Sequence, residues 1–223
     1  MNKNSCMGYF RKKWLPLTRA MTLFCLFISF DTQAQINPII LVLGDSLSAE
    51  YGITMGTGWV KLLEDQLQKQ GSKWNVFNAS ISGETTAGGL KRLPKLIEQK
   101  KPGIILLELG ANDALRGLSI QESEKNLRKM IHLCTNSGSK VLLFSMQIPP
   151  NYGPEYAKQF KDLYSTLANQ EKVELVPFFM NGVALDLSLF QADRIHPNEK
   201  AQAILFKNVW GAMAPYQTLL KVQ

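Results

Sequence analysis

The sequence predicts a three-layer α/β/α fold around a parallel sheet of five strands. Five short apolar runs, typical of buried strands, lie between residues 39 and 176, and segments with helical spacing of apolar residues lie between them. No internal repeat, charge block or low-complexity linker interrupts this alternation after residue 34. Regular alternation of strand and helix indicates a parallel sheet covered by helices on both faces. We therefore expect a single domain over residues 35–223.

The predicted strands are short and composed largely of apolar residues. They cover residues 39–43, 74–79, 104–109, 140–146 and 173–176. Ligands of open parallel sheets bind beyond the carboxyl ends of the strands, so the loops after these runs are where we expect a functional site.

The first two predicted helices each follow a glycine-bearing segment. One follows Gly58 and begins at Trp59, with Leu63 and Leu67 on the same face. The other begins at Leu90, after the Thr-Thr-Ala-Gly-Gly sequence of residues 85–89, which we predict to be a turn.

Three further helices complete the alternation. Ser119 and Glu122 form a capping box at the start of one, and Gly138 ends it. Pro154 suits the first turn of the next helix, and residues 199–210 supply the last.

The first 34 residues have the organisation of a secretory signal peptide. A basic stretch ending at Arg19 precedes eleven uncharged, mostly apolar residues, 20–30, and the small residue Ala34 follows. At about 1.5 Å per helical residue the apolar run spans roughly 17 Å, short of a bilayer core of about 30 Å. We expect cleavage after Ala34 and export to the periplasm or beyond. An uncleaved interfacial anchor is the alternative.

The net charge of +7 is unevenly distributed along the chain. Residues 1–34 carry five of the 25 Lys and Arg side chains and one of the 18 Asp and Glu side chains, so residues 35–223 retain an excess of only +3. This removes the main support for nucleic-acid binding. Of the three cysteines only Cys134 lies beyond residue 34, which excludes a disulfide within the mature chain.

A serine, a histidine and an aspartate are candidates for nucleophilic catalysis. Ser46 directly follows the first strand, and a serine becomes a useful nucleophile beside a base. His196 is the candidate base, and Asp193 lies three residues before it, close enough to orient the ring. The alternative is that Asp45 and Ser46 merely cap a helix. The other histidine, His132, lies within a predicted helix and is expected to be structural or at the surface.

Acyl transfer also requires hydrogen-bond donors aimed at the oxyanion. Gly83 and Asn112 follow the second and third strands, and a glycine N–H and an asparagine amide suit this task. Each also has a structural alternative, because glycines and asparagines are common in turns. Neither glycine-rich phosphate-binding motif follows the first strand.

Four ordered blocks in the chain resemble those of the SGNH, or GDSL, hydrolase family. They are Gly-Asp-Ser-Leu-Ser at 44–48, Asn-Ala-Ser-Ile-Ser-Gly at 78–83, Gly-Ala-Asn-Asp at 110–113 and Asp-Arg-Ile-His-Pro at 193–197. Within the family the chain is most similar to the exported bacterial type described as acyl-CoA thioesterase I, lysophospholipase and arylesterase. Two residues depart from the usual pattern: Ala111 replaces a common Gly, and Arg194 replaces a small residue.

The resemblance implies a flavodoxin-like sheet and a serine esterase mechanism. Ser46 would be the nucleophile, His196 the general base and later the acid, and Asp193 the group that orients His196. The oxyanion hole would consist of the backbone N–H groups of Ser46 and Gly83 and the side-chain amide of Asn112. An ester or thioester would form an acyl-serine that water releases, with no metal or organic cofactor.

The substrate class depends on two loops and on export. Leu115 and Ile148 are predicted to form apolar walls for an acyl chain, with ordinary loop packing as the alternative. Outside the cytoplasm, lysophospholipids and other lipid or aryl esters are expected rather than CoA thioesters. We expect a monomer that contacts a membrane surface transiently and binds no nucleic acid, with Arg116 and Arg194 attracting anionic head groups.

Two other functions are compatible with these blocks. A carbohydrate O-deacetylase would use the same residues on small acyl groups. A non-catalytic binding domain on the same fold would have all four blocks by chance. An α/β-hydrolase is disfavoured, because Ser46 lacks the G-x-S-x-G sequence around it.

Overall fold

The structure of the protein is a computed structural model, and it describes residues 38–221. The predicted signal peptide, residues 1–34, lies outside the described residues, as do Cys6 and Cys25. Export therefore stays a prediction. No helix among residues 38–221 is long and apolar enough to cross a membrane.

The sheet contains five strands, all parallel, in the order β2-β1-β3-β4-β5. The strands are β1 Ile39–Gly44, β2 Asn75–Asn78, β3 Ile104–Glu108, β4 Lys140–Phe144 and β5 Glu174–Val176. The helices are α1 Trp59–Lys69, α2 Thr86–Lys100, α3 Ala111–Leu115, α4 Ile120–Asn136, α5 Pro154–Glu171, α6 Glu199–Ala212 and α7 Gln217–Leu220. Short 3₁₀ helices lie at Pro150–Tyr152, Leu187–Leu189 and Ala214–Tyr216.

Helices cover the sheet on both faces. All five residues of β3 are buried, and side chains alternate between faces along a strand, so neither face of β3 is open to water. The helices pack in two groups, α1 with α6, and α2 with α4 and α5. The three-layer α/β/α prediction is confirmed.

The five predicted strands are confirmed within two residues at each end. The predicted turn at 85–89 is wrong, because Thr86 to Gly89 form the first turn of α2. Thr85 caps that helix by accepting a hydrogen bond from the Gly88 N–H at 3.2 Å. A Cβ atom on Gly89 would lie 2.3 Å from Leu109 Cδ1, so close packing against Leu109 explains a glycine inside the helix.

The order in which strands are added to the sheet reverses between β1 and β3, and we expect the functional site at this position. From β1 the chain adds β2 on one side and then crosses to β3 on the other. Ligands of doubly wound sheets bind in the crevice at such a reversal. Ser46 follows β1, and Asn112 lies in α3 directly after β3, so two predicted site residues lie at this crevice.

Candidate active site

The turn that carries Ser46 is held against the end of β3. The Asp45 N–H donates to Glu108 Oε2 at 3.2 Å, and Ser48 Oγ donates to the same oxygen at 2.7 Å. A Cβ atom on Gly44 would lie 2.6 Å from Glu108 Oε2, so only glycine admits the Glu108 carboxyl at this distance. The sequence of the first block therefore has a packing reason that is independent of catalysis.

Ser46, His196 and Asp193 form one chain of hydrogen bonds. His196 Nε2 lies 3.0 Å from Ser46 Oγ, and His196 Nδ1 lies 2.6 Å from Asp193 Oδ2. The other Asp193 oxygen, Oδ1, accepts from the backbone N–H groups of Ile195 and His196 at 2.9 and 3.0 Å. This geometry suits proton transfer from the hydroxyl to the imidazole, with the carboxylate fixing the ring tautomer.

Asp193 is held in its ionised form. Partial burial opposes ionisation, but the hydrogen bonds from the His196 backbone, the His196 ring and the Ile195 backbone outweigh it and lower the pKa of Asp193 to about 2. The loop passes through Arg194 in the left-handed region, with φ +59°, before it presents the imidazole. Arg194 itself is exposed.

Two residues outside the predicted set support the His196 loop. The Tyr51 ring packs on the imidazole, with ring centroids 4.4 Å apart at 43°. Gln191 Nε2 donates to the Tyr51 carbonyl at 2.8 Å and to the Pro197 carbonyl at 3.1 Å. These contacts join the His196 loop to the segment after Ser46, and no local pattern in the sequence indicated either residue.

The second and third blocks converge on the same turn. The Ile81 N–H donates to the Gly44 carbonyl at 3.1 Å, and Asn78 Nδ2 donates to the Ser48 carbonyl at 2.7 Å. Within the described part of the chain, the backbone N–H groups of Ser46 and Gly83 have no protein acceptor, and both residues are half-buried. These N–H groups are therefore available to a ligand.

Asn112 and Arg116 join the third block to the first two. Asn112 Nδ2 donates one hydrogen bond to Asp45 Oδ2 at 2.9 Å, which leaves its second N–H available. Arg116 Nη2 donates to the Gly83 carbonyl at 2.9 Å and so anchors that loop. The structure thus links Ser46, His196 and Asp193 by direct hydrogen bonds. It joins Asn112 to Asp45, the residue before Ser46, and ties Gly83 to Arg116, four residues after Asn112.

The family described as GDSL-like lipase/acylhydrolase matches residues 42–204, which include all four blocks. The chain belongs to this family. It is accordingly an acyl hydrolase that acts on ester bonds, and the predicted family, fold class and activity class are confirmed.

Relatives within the GDSL-like family are similar over most of their length. Esterase TesA of Pseudomonas aeruginosa is 46% identical over 191 residues, which cover 86% of this chain and 95% of that protein. Thioesterase 1/protease 1/lysophospholipase L1 of Escherichia coli (strain K12) is 42% identical over 183 residues, covering 82% of this chain and 86% of that protein. The predicted similarity to the bacterial thioesterase and lysophospholipase type is confirmed.

A solved structure of a related esterase agrees with the fold. The psychrotrophic esterase EstA from Pseudoalteromonas sp., in a structure inhibited by monoethylphosphonate, superposes with a TM-score of 0.77 at 39% identity. The match covers 81% of this chain and 98% of that chain.

A pair of buried carboxyl groups, Asp45 and Glu108, lies beside Ser46 in this GDSL-like chain. Burial raises the pKa of Asp45 from its ordinary 3.8 to about 6, against the opposing effects of the Leu47 N–H, His196 and Asn112. Burial and the neighbouring Asp45 raise the pKa of Glu108 well above its ordinary range. Of the two carboxyl groups, Glu108 is therefore the one that burial and its neighbour disfavour more strongly in the ionised form.

The Asp45 carboxyl should make stability depend on pH. Because the folded protein binds this proton more tightly than the unfolded chain does, Asp45 lowers stability as pH rises from about 4 to about 6, and the loss persists above that. A change from 3.8 to about 6 corresponds to roughly 3 kcal/mol at 1.36 kcal/mol per unit. In Asp45→Asn this dependence should disappear, so the stability of the variant relative to wild type should rise over the same range. Urea unfolding from pH 4 to 8 measures it.

The matched control for this titration is Asp186→Asn. Hydrogen bonds from Ser188 lower the pKa of the exposed Asp186, so its carboxylate is ionised in both folded and unfolded chains above pH ~5. Above pH ~5 its curve should run parallel to that of wild type. A parallel curve for Asp45→Asn would contradict the proposed cost of ionising Asp45.

Some predicted residues lie apart from the chain of hydrogen bonds. Ile148 is packed in the hydrophobic core and only 7% exposed, so it offers a ligand little surface, whereas Leu115, at the end of α3, is half-buried. His132 lies on the surface of α4, with Nε2 2.7 Å from Glu171 Oε2, and Cys134 is buried on the same helix. Among residues 38–221, no three His, Cys, Asp or Glu side chains are grouped so that they could hold a metal ion.

Large apolar side chains are exposed at positions near the site residues along the chain. Tyr51, Ile81, Leu118 and Ile195 are all exposed, and each lies one to five residues from a predicted site residue or from Arg116. Sequence patterns do not reveal these residues, because an apolar residue in a loop shows no periodicity that separates a buried side chain from an exposed one. We call these four residues the apolar rim.

Proposed function

We propose that this chain hydrolyses esters of hydrophobic acyl groups through an acyl-Ser46 intermediate. The observation that carries the proposal is the continuous chain of hydrogen bonds from Asp193 through His196 to Ser46 Oγ. Ser46 lies at the crevice between β1 and β3, where a substrate carbonyl has access to the half-buried hydroxyl.

The proposed reaction has two balanced steps. His196 Nε2 takes the proton from Ser46 Oγ as that oxygen attacks the substrate carbonyl, and the resulting imidazolium then donates this proton to the departing alcohol or thiol. Water next attacks the acyl-serine while His196 accepts its proton, and collapse returns the proton to Ser46 and releases the acid. Asp193 keeps the Nδ1–H of His196 in place throughout.

The developing oxyanion would be stabilised by three donors. These are the backbone N–H groups of Ser46 and Gly83, which have no acceptor among the described residues, and the second N–H of the Asn112 amide. Donors that are already oriented before reaction stabilise the transition state without reorganisation at that moment.

Covalent labelling tests the nucleophile. A fluorophosphonate probe should modify the chain once, on the peptide that contains Ser46, because only an activated serine displaces the fluoride. Mass spectrometry of the digested protein identifies the site. An unlabelled chain would favour a non-catalytic binding domain, and a label on another serine would refute the assignment of Ser46.

Hydrophobic acyl groups fit the surface around Ser46 better than small polar ones. The apolar rim presents four large side chains to solvent beside the site, and exposed apolar surface next to a cleft commonly marks a binding region. Esterase TesA and lysophospholipase L1, the relatives described above, bear names compatible with such substrates. Lysophospholipids and other lipid or aryl esters are the proposed natural class.

The apolar rim should determine the preference for acyl-chain length. Leu118→Gln should lower kcat/KM for a nitrophenyl decanoate roughly ten-fold, the effect of losing one to two buried methylene contacts, and leave nitrophenyl acetate within two-fold. Leu115→Gln should act in the same direction. Hydrolysis rates across acetyl to palmitoyl esters, acyl-CoA and lysophospholipid give the measurement.

Leu133→Gln is the matched control for these substitutions. Leu133 is also exposed, but it lies on α4, one residue from His132 and away from the blocks of the site. It should leave both esters unaffected. Equal losses on short and long esters in the Leu118 variant would contradict the acyl-binding role, and a wild-type preference for acetyl groups would favour a carbohydrate O-deacetylase.

The setting of the enzyme is part of the proposal. Cleavage after Ala34 would release an exported, monomeric chain with a site edged by the apolar rim. That rim would make transient contact with a membrane surface, and exposed Arg194 would attract anionic head groups. Arg116 is engaged with the Gly83 carbonyl, so its proposed electrostatic role is combined with an anchoring one.

A further inference from the structure

We propose that Asp45 is a positioning residue of the oxyanion hole, which holds the Asn112 amide so that its free N–H faces the oxyanion. The inference rests on the proposed function, in which Asn112 stabilises that oxyanion. It assigns a role in the site to a residue whose sequence position, directly before Ser46, indicated only a possible helix cap.

The Asp45 carboxyl group contacts two separate segments of the site, one through each oxygen. Its side chain is 1% exposed, and its two oxygens have separate partners. Oδ2 accepts from Asn112 Nδ2 at 2.9 Å, and Oδ1 accepts from the Leu47 N–H at 3.0 Å. One carboxyl group therefore joins the turn after β1 to the helix after β3.

The hydrogen bond to Asp45 determines which way the Asn112 amide points. The two N–H bonds of an amide lie in one plane at a fixed angle, so binding one of them fixes the direction of the other. If the amide rotated by 180°, its carbonyl oxygen would replace the amide nitrogen facing Asp45 Oδ2. Two acceptors would then meet in a buried site, which is unfavourable, so Asp45 selects the orientation with the donor available to the oxyanion.

A carboxylate suits this position better than the isosteric amide does. Asp45 accepts two hydrogen bonds, one through each oxygen, whereas an asparagine side chain has a single acceptor oxygen and an NH₂ group. Asparagine at 45 would place its NH₂ donor against one of two other donors, the Leu47 N–H or Asn112 Nδ2. The ionised group is retained although burial opposes ionisation, as the raised pKa of Asp45 shows.

The test is a double-mutant cycle on kcat between positions 45 and 112. Asp45→Ser keeps an oxygen that can accept from the Leu47 N–H but is too short to reach Asn112. Asn112→Ala should lower kcat by about 10²–10³-fold, as expected for one oxyanion donor. Asp45→Ser should lower kcat about 10- to 100-fold with KM within three-fold of wild type. The double variant should be no slower than Asn112→Ala alone, within about three-fold.

Different outcomes separate this inference from the proposed function. If Asn112→Ala retains the wild-type kcat, the proposed oxyanion role fails and the inference fails with it. If Asn112→Ala is slow but the two losses multiply in the double variant, Asp45 acts independently of Asn112, and the inference alone is overturned. A raised KM with unchanged kcat in Asp45→Ser would overturn it as well.

Two further variants complete the test, one as a substitute if Asp45→Ser does not fold and one as a control. Asp45→Asn preserves the shape of the side chain and goes through the same cycle if Asp45→Ser does not fold. Asp186→Ser is the matched control, because Asp186 Oδ1 makes the equivalent bond to a backbone N–H two residues on, at 2.9 Å, on the surface. It should leave kcat unchanged.

Discussion

Ser46→Ala should lower ester hydrolysis by about 10⁴-fold or more, the largest loss expected from any single substitution in this chain. The hydroxyl oxygen is the atom that would form the acyl bond, and His196 Nε2 lies 3.0 Å from it. No other serine oxygen of residues 38–221 hydrogen-bonds to the His196 ring. Without that oxygen, the oxyanion donors could still bind an ester but could not form the intermediate. Steady-state hydrolysis of nitrophenyl butyrate measures the loss.

The fold should survive this substitution. Ser46 is half-buried, and its hydroxyl bonds only to His196 among the described residues, so the turn would keep its anchors through Asp45 and Ser48. Thermal unfolding of Ser46→Ala should match wild type within a few degrees. Ser165→Ala, which removes an exposed hydroxyl from α5, is the control and should retain full activity. Retention of more than about 1% of the rate by Ser46→Ala would refute the serine mechanism.

His196→Ala should cause a loss of the same order, because the serine and the base act as one unit. In this variant Ser46 Oγ loses its only hydrogen-bond partner among the residues that the structure describes, and the Asp193 carboxylate loses its ring partner. Subsequent removal of Ser46 should therefore cost little more, so the double variant Ser46→Ala/His196→Ala should be about as slow as either single one. Initial rates at pH 7.5 for the three variants give the comparison.

The chain contains its own control for the histidine. His132 also contacts a carboxylate, with Nε2 2.7 Å from Glu171, but it lies on the surface of α4. His132→Ala should leave kcat and KM unchanged. Losses that multiply between Ser46 and His196, or an active His196→Ala variant, would show that His196 does not activate Ser46.

The regular elements could be predicted because local rules determine them. The apolar runs of the five strands and the capping signals at Ser119, Gly138 and Pro154 act within a few residues, and the structure places elements there. The segment at 85–89 shows where local rules failed. Its two glycines indicated a turn, but the segment is the first turn of α2, which Thr85 caps. Gly89 packs so closely against Leu109, twenty residues away, that the position requires a glycine inside the helix.

The candidate site could be named from sequence because its blocks are compact. Four short segments contain Ser46, Gly83, Asn112, Asp193 and His196. The first three come at the ends of predicted strands, and the fourth is the last of the four blocks in the sequence. The supporting residues could not be named in this way. Tyr51 packs on His196 across 145 positions of sequence, and Glu108 supports Ser48 across 60, and no local pattern identifies such pairs.

The amino-acid sequence by itself determined the α/β architecture, the family and the identity of the residues proposed to react, because periodicity, capping and motif spacing are properties of neighbouring residues. The tertiary structure alone decided how those residues are oriented. It brought Ser46 to His196, turned the Asn112 amide toward Asp45, and placed the carboxyl groups of Asp45 and Glu108 together beside Ser46. Hydrogen-bond direction and burial depend on groups that meet only when distant strands become neighbours in the sheet, so these properties follow from folding.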